Sequence, residues 1–141
     1  MSFLLDTNIP SELMRSGPDR RVRDWVRGQE PTSLYLSVVT IGELRKGFTI
    51  LAEGARRAQL ELWFENNLIP LFAGRILPVT QRVADRWGVL DGMRRLRGRP
   101  LNIADGMIAA TALEHGLTLA TRNVGDYDGL GVTILNPWEV S

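Results

Sequence analysis

Short apolar runs alternate along the chain with segments in which apolar residues recur at helical spacing. The apolar runs, at 3–5, 34–38, 75–79, 118–120 and 132–135, predict five strands. The helical segments lie from about residue 9 to the Gly17-Pro18 break, and at 19–29, 40–52, 55–66, 80–97 and 103–115. Strands that alternate with helices indicate an α/β fold with a mainly parallel central sheet flanked by helices. No repeat or linker interrupts the pattern, so we expect a single domain over residues 1–141.

The composition is typical of a folded protein outside a membrane. The chain has 141 residues, 44% of them hydrophobic and 23% charged, which is enough to bury one core. No run of about eighteen apolar residues occurs, so we expect no membrane span. The N-terminus lacks a basic stretch leading into an apolar region, so we also expect no signal peptide. The absence of cysteine excludes disulfides and thiolate sites, and it fits a cytoplasmic protein.

Basic residues are clustered, although the net charge is only +1. Lys46 is the only lysine among the 17 basic residues, and arginines group at 20–27, at 56–57 and at 94–99. The last group comprises Arg94, Arg95, Arg97 and Arg99. Because a guanidinium binds phosphate through two parallel donors, these groups are candidates for contacts with nucleic acid. Each group taken alone is equally consistent with a solvated helix surface.

Three acidic residues occupy positions where a predicted strand ends or a predicted helix begins. Asp6 follows the first strand, Glu43 lies after the second, and Asp105 opens the helix at 103–115. Helix capping explains each acid singly, since Thr40 with Glu43 and Asn102 with Asp105 both match a capping box. Taken together, however, the three acids fall on the one edge of a parallel sheet where ligand sites form.

Three carboxylates at one edge would repel one another unless a cation held them. Carboxylates, water and substrate phosphate are the ligands that magnesium prefers. A magnesium site of this kind favours phosphoryl chemistry, in which the metal activates a water molecule and neutralises the leaving oxygen.

A further polar group follows the strand at 118–120. Thr121 can donate its hydroxyl to a carboxylate or a metal-bound water, and Asn123 or Asp126 can supply another oxygen. Asn8, next to the first acid, is a second hydrogen-bonding candidate. The alternative for residues 123–126 is an ordinary turn, for which Asn, Gly and Asp are typical.

Four segments together resemble the successive motifs of PIN-domain toxins of the VapC type. They are Leu4-Leu5-Asp6-Thr7-Asn8, Ser37 to Leu44, Ala104 to Ala112, and Leu119-Ala120-Thr121-Arg122-Asn123. Residues 71–78 and Asn136-Pro137-Trp138 further resemble the gonococcal FitB branch of that group. The resemblance covers nearly the whole chain in order.

The resemblance implies an RNA-cutting nuclease that uses Mg²⁺ or Mn²⁺, a homodimer held by a cognate antitoxin, with DNA contacted only through that antitoxin. Carried over by position, Asp6, Glu43 and Asp105 are the metal-binding acids, and Thr121 is the hydroxyl residue beside them. The fourth acidic position of the family falls on the amide Asn123, which weakens a second metal site. Asp126 is a possible substitute.

On this interpretation, Asp6 and Asp105 coordinate the principal metal, and Glu43 binds it through water or helps to deprotonate that water. Attack on a backbone phosphate then leaves a 5′-phosphate and a 3′-hydroxyl. Single-stranded or looped RNA suits a recessed acidic site better than a rigid duplex does. The arginines at 94–99 are candidates to guide the strand.

Two alternatives start from the same acids. A phosphatase or response-regulator site needs a lysine after a late strand, and Lys46 lies in an early helix, so that alternative is poor. A PIN-like binding module with weak activity, acting with an antitoxin in DNA-bound autoregulation, is favoured by Asn123 and opposed by the three retained acids. The apolar stripe of Leu60, Trp63, Phe64 and Leu68 is consistent with a partner surface and more so with the core.

Overall fold

The computed structural model describes residues 1–140, and its strands form one parallel five-stranded sheet. The strands are β1 (Phe3–Leu5), β2 (Leu34–Ser37), β3 (Ile76–Leu77), β4 (Thr118–Ala120) and β5 (Ile134–Leu135). Their order across the sheet is β3-β2-β1-β4-β5, and every neighbouring pair is parallel. The predicted α/β class and parallel sheet are therefore confirmed. β3 and β5 are shorter than predicted.

The central strand β1 separates two hydrophobic clusters. Phe3 and Leu5 belong to one cluster and Leu4 to the other, and all three residues are buried. Successive side chains of a strand point to opposite faces of the sheet, so helices must cover both faces. The carboxyl ends of β1 and β4 are adjacent, because Leu5 pairs with Ala120. Asp6 and Thr121, the next residues, are thereby brought to the same edge.

Seven helices surround the sheet within residues 1–140. They are α1 (Asn8–Leu13), α2 (Arg20–Arg27), α3 (Val38–Thr49), α4 (Ala55–Trp63), α5 (Ile69–Leu71), α6 (Gln81–Leu96) and α7 (Ile103–His115). None of these helices is long and apolar enough to cross a membrane. α7 has its predicted bounds, and Gly116 ends it with a φ of 64°, a conformation that favours glycine.

The start of α3 differs from the prediction. The helix begins at Val38, two residues before the predicted start, and its N-cap is Ser37, whose hydroxyl accepts a hydrogen bond from the Val39 N–H. Ser37 and Thr40 are both good capping residues, and the apolar pair between them resembles the end of a strand. Glu43 therefore lies in the second turn of α3, and the predicted capping box with Thr40 is wrong.

The helix predicted over 55–66 changes character near its end. α4 stops at Trp63, and Phe64–Leu68 continues as one wider π-helical turn before α5. Pro70 has no N–H to offer to the carbonyl four residues earlier, which disfavours a regular α-helix here. Leu60, Phe64 and Leu68 are buried in the cluster that contains Phe3, with Trp63 packed against it, so core packing of this stripe is confirmed.

Candidate active site

Asp6 lies at the centre of the polar edge of the sheet. Its side chain is buried, with the residue 3% exposed. Oδ1 accepts a hydrogen bond from the Thr7 N–H at 2.7 Å, and Oδ2 accepts one from the Thr121 hydroxyl at 2.7 Å. Burial raises the pKa of Asp6, an effect that these hydrogen bonds oppose and that the charge of Glu43 increases. Asp6 is thus a firmly held carboxylate in a site that disfavours uncompensated negative charge.

Tyr127 joins Asp6 to Asp105, and the sequence analysis missed it. Its hydroxyl donates to Asp6 Oδ2 at 2.9 Å and lies 3.3 Å from Asp105 Oδ1, so one hydroxyl proton is placed between two carboxylates. The tyrosine is 1% exposed, and burial with the nearby carboxylates raises its pKa far above the usual range, which keeps the phenol protonated. No local pattern marks this residue, because a tyrosine in a turn-like loop can be exposed or buried and only a buried phenol needs a hydrogen-bond partner.

Asp105 reaches the site from the first turn of α7. The side chain of Asn102 accepts from the N–H groups of Ala104 and Asp105, so the predicted N-cap is confirmed. The Asp105 carboxylate turns instead toward Tyr127. Burial, followed by repulsion from Asp6, raises the pKa of Asp105 to about 6, and Glu43 and Asp126 contribute further repulsion. The charges of Asp6, Glu43 and Asp126 thus all disfavour a charged Asp105.

Glu43 is tied to the end of β1 through Thr7. The Thr7 hydroxyl donates to Glu43 Oε1 at 2.6 Å and lies 3.0 Å from the Thr40 hydroxyl. Since Thr7 has one proton and uses it for Glu43, the Thr40 hydroxyl is the donor in the second contact. Thr40 is completely buried, so this chain of hydroxyls is fixed by the packing of α3. Glu43 is oriented toward the site rather than toward the start of its own helix.

The three acids carry no cationic partner: none of the ion pairs within residues 1–140 includes Asp6, Glu43 or Asp105. Hard carboxylate oxygens without a counter-charge fit a hard divalent cation. In the same part of the chain no three acidic or histidine side chains converge as a complete set of metal ligands. Asp6 and Asp105, which share the Tyr127 hydroxyl, are the pair suited to direct binding, and Glu43 is suited to contact through water.

The other predicted polar residues differ in whether their side chains reach the site. Thr121 is fully buried; it accepts from Asn8 Nδ2 at 3.2 Å and from the Asn123 N–H at 3.0 Å while it donates to Asp6. Asn8 Oδ1 is buried without a partner among residues 1–140. The Asn123 side chain is exposed, and this residue reaches the site through its backbone only. Asp126 lines the same cavity as Asp105, and its charge contributes to the raised pKa of Asp105.

The predicted substrate-guiding arginines have different environments. Arg94 is 7% exposed, and its guanidinium donates to the carbonyl oxygens of Arg99, Asp126 and Asp128. Arg94 therefore braces the loop that carries Tyr127, and it also lines the cavity that contains Asp105 and Asp126. Its guanidinium is occupied by these carbonyl oxygens, and the prediction that Arg94 guides substrate stays a prediction.

Arg95 and Arg97 are exposed, and Arg95 pairs with Asp91 at 2.8 Å. Arg99 is also exposed, and it lines a cavity of about 260 Å³ together with Asp105 and Asp126. A larger cavity, of about 500 Å³, contains Arg15, Arg21 and Arg122 but none of the three acids. We favour the smaller cavity as the entrance to the site, because it contains an acid of the cluster.

Known proteins match this chain over nearly its whole length. Toxin FitB from Neisseria gonorrhoeae is 41% identical over 136 residues, which are 96% of this chain and 98% of FitB. VapC ribonuclease Y4jK from Sinorhizobium fredii is 39% identical over 137 residues, which are 97% of this chain and 98% of that protein.

Solved structures agree with the sequence relatives. The FitAcB structure from Neisseria gonorrhoeae matches with a TM-score of 0.91 at 40% identity, covering 98% of this chain and 99% of that chain. A structure of FitAB bound to an IR36 DNA fragment also matches with a TM-score of 0.91, at 38% identity, covering 99% and 97% of the two chains. The PIN domain family matches residues 3–125. The chain therefore belongs to the PIN-domain family, as its motifs predicted, and is similar to the toxins of the VapC and FitB type.

Proposed function

We propose that this chain is a Mg²⁺- or Mn²⁺-dependent endoribonuclease and the toxin of a type II toxin–antitoxin pair. It hydrolyses RNA phosphodiester bonds and leaves a 5′-phosphate and a 3′-hydroxyl. The observation that carries the proposal is the grouping of Asp6, Glu43 and Asp105 at one sheet edge, linked through Thr7 and Tyr127 and without a basic partner within residues 1–140. The similarity to VapC ribonuclease Y4jK supports the nuclease activity.

Asp6 and Asp105 would hold the cation, since their carboxylates are the pair bridged by Tyr127. When bound, a divalent cation supplies charge neutralisation at the phosphate and makes a water molecule a better nucleophile. The protein contributes orientation. Thr121 and the Thr7 N–H fix both oxygens of Asp6, and the Thr7 hydroxyl fixes Oε1 of Glu43.

Glu43 is suited to move a proton. Its Oε1 accepts from Thr7, whereas Oε2 has no hydrogen bond from any residue between 1 and 140. In the proposed hydrolysis, Oε2 accepts a proton from the attacking water, the new bond forms between that water's oxygen and phosphorus, and the bond from phosphorus to the 3′-oxygen breaks. The departing 3′-oxygen takes up a proton from solvent, so that the products are the 3′-hydroxyl and the 5′-phosphate.

Single-stranded or looped RNA is the proposed substrate. The acids are recessed: Asp6 is buried, and Asp105 is half-buried and lines the cavity that Arg99 also lines. A flexible strand can bend a phosphate into such a cavity, whereas a rigid duplex cannot do so without distortion. Arg99 is exposed and lines this cavity, so it can bind a flanking phosphate, and the exposed Arg97 lies two residues before it in the chain.

An antitoxin is the proposed protein partner, and the active toxin is proposed to be a homodimer. The matching FitAcB and FitAB structures support a partner of this kind, and the DNA in the FitAB structure supports DNA contact through that partner. An apolar groove of about 530 Å³ lies between α1, α2, α4 and α5, lined by Leu13, Val26, Trp63 and Leu71 among others. A groove of this composition is suited to the apolar face of an amphipathic helix.

The test uses protein freed of any partner and stripped of metal, to which Mg²⁺ or Mn²⁺ is added with a pool of structured RNAs. Asp6→Asn, purified identically, is the control for contaminating nuclease. We expect metal-dependent cuts with 5′-phosphate ends in the wild type and none in Asp6→Asn. Equal cutting by both proteins would mean contamination and would remove support for the proposal.

The same experiment tests the second candidate function, a binding module of low activity that acts with an antitoxin on DNA. The amide Asn123 at the fourth acidic position favours this candidate. The binding-module function is supported if the wild type neither cuts RNA nor binds Mn²⁺ but still binds its antitoxin. Mn²⁺ binding that is lost in Asp105→Asn would count against it.

A further inference from the structure

Tyr127 is placed between the two central acids by an unusually well braced loop. The short 3-10 helix Val124–Tyr127 is followed by Asp128, and the buried Arg94 donates to the carbonyl oxygens of Asp126 and Asp128 on either side of the tyrosine. The aromatic ring lies in the hydrophobic cluster that contains Leu4 and Ile108. The phenol is thus held from both sides, and the position of its hydroxyl is determined by the fold.

From this geometry we infer that Tyr127 is a positioning residue, which rests on the proposed function: its hydroxyl holds Asp6 and Asp105 together before the divalent cation binds. The contacts are 2.9 Å to Asp6 Oδ2 and 3.3 Å to Asp105 Oδ1. A neutral donor between two carboxylates offsets part of their repulsion without adding a positive charge that would compete with the cation. The acid pair is therefore assembled in advance, and less reorganisation accompanies metal binding.

The hydroxyl has no other use within the described chain. Its hydrogen bonds go only to the two acids, and a phenylalanine would fill the same hydrophobic position. The packing of the ring can therefore be separated from the function of the hydroxyl. Tyr127→Phe removes the hydroxyl and keeps the packing of the ring. Tyr35, in β2, is the only other tyrosine and supplies a matched control.

The experiment measures Mn²⁺ binding calorimetrically to the metal-free wild type, Tyr127→Phe and Tyr35→Phe. We expect the Kd for Mn²⁺ to rise about tenfold or more in Tyr127→Phe, the range typical for residues that orient metal ligands. Tyr35→Phe should bind as the wild type does. In RNA cleavage, Tyr127→Phe should require more Mn²⁺ than the wild type and should reach a kcat near that of the wild type at saturating Mn²⁺. Tyr35→Phe should cleave as the wild type does.

Equal or tighter Mn²⁺ binding by Tyr127→Phe would overturn the inference and leave the proposed nuclease untouched. A wild type that binds neither Mn²⁺ nor Mg²⁺ would overturn both, so the two failures are distinguishable. If Tyr127→Phe does not fold, Tyr35→Phe provides the test of the inference, because Tyr127 is the only tyrosine left in that variant. Its ring NMR signals are expected to shift on titration with Mg²⁺, and unchanged signals at saturating Mg²⁺ would contradict the inference.

Discussion

The hydroxyl of Thr7 donates a 2.6 Å hydrogen bond to Oε1 of Glu43, linking the end of β1 to the second turn of α3. The two residues are 36 positions apart in the chain. The contact brings the third acid to the pair formed by Asp6 and Asp105. It also explains why Glu43 faces this edge of the sheet although its helix begins earlier than the sequence predicted.

Replacing Thr7 with valine should slow RNA cleavage in a protein that still folds, with a loss of stability of about 1–3 kcal/mol because the buried Thr40 hydroxyl loses its acceptor. Valine keeps the branched shape and removes the only donor to Glu43 among residues 1–140, so the carboxylate loses its fixed orientation. We expect a fall in kcat of about 10- to 100-fold, the effect usual for residues that orient ligands or bases at a metal site. The measurement is single-turnover cleavage of a defined RNA at saturating Mn²⁺.

Thr49→Val is the matched control, because in the described part of the chain the Thr49 hydroxyl bonds only to a carbonyl of its own helix, that of Arg45. Its cleavage rate should equal that of the wild type. If Thr7→Val also cleaves at the wild-type rate, Glu43 needs no orientation by Thr7.

The metal-free protein should become less stable as the pH rises from about 4 to about 6. The pKa of Asp105 is raised from 3.8 to about 6 in the folded state, so the folded protein holds this proton more tightly than the unfolded chain does. The stabilising contribution is complete below pH 3.8 and is lost as the pH rises through about 6. Thermal unfolding in EDTA across this pH range measures it.

Asp105→Asn removes the titrating group, so its Tm should vary less over the same pH range. At pH 7.5 the metal-free variant should melt above the wild type by a few degrees, on the order of 3 °C for each kcal/mol of relieved repulsion. Saturating Mg²⁺ should raise the wild-type Tm and leave that of Asp105→Asn nearly unchanged. A wild type whose melting is insensitive to pH between 4 and 6 would contradict the raised pKa.

The sequence was informative where a residue's role follows from its place on a strand or helix. Asp6 and Thr121 follow adjacent parallel strands, and Asp105 follows the cap Asn102, so their meeting at one edge was predictable. Tyr127 was missed because its loop has turn-like composition and its partners are more than 20 residues away in the chain. Such a contact depends on how the loop packs, which local pattern does not encode.

For Arg94, by contrast, the sequence contained a pattern that indicates its burial, and the prediction did not use it. Val83, Trp87, Leu90 and Arg94 follow one another at helical spacing, so the arginine falls on the face of α6 that packs inward. Grouping it with its exposed neighbours by charge alone led to the wrong environment. A charged residue on a buried face indicates a hydrogen-bonding role before it indicates a ligand.

Arg94 and Arg99 should respond differently to substitution. Arg94→Met leaves three backbone carbonyls without their donor and should lower the free energy of unfolding by about 2–4 kcal/mol. Arg99→Gln should leave stability unchanged and raise the KM for RNA about tenfold, as expected when one charged contact to a phosphate is lost. Urea unfolding and steady-state cleavage separate the two effects. A destabilised Arg99→Gln with an unchanged KM would assign Arg99 to the fold.

Gly106 should tolerate no side chain, because α6 and α7 approach closely at this residue. A Cβ there would lie 2.7 Å from Cδ1 and 2.8 Å from Nε1 of Trp87, well inside van der Waals contact. Gly106 is one residue after Asp105, so any shift of α7 would also move an acid of the site. Gly106→Ala should lower the free energy of unfolding by about 1–3 kcal/mol, the usual cost of an overpacked core.

Gly92→Ala is the matched substitution on the neighbouring helix. A Cβ at Gly92 meets nothing within 4 Å, so alanine there should stabilise the protein by about 0.5–1 kcal/mol through a better helix propensity. Urea unfolding of both variants should therefore give changes of opposite sign. In cleavage assays below both unfolding transitions, Gly92→Ala should retain wild-type activity and Gly106→Ala should lose it, because only the latter displaces Asp105. If Gly106→Ala kept full activity and stability, the close approach of Trp87 would not constrain the position of Asp105.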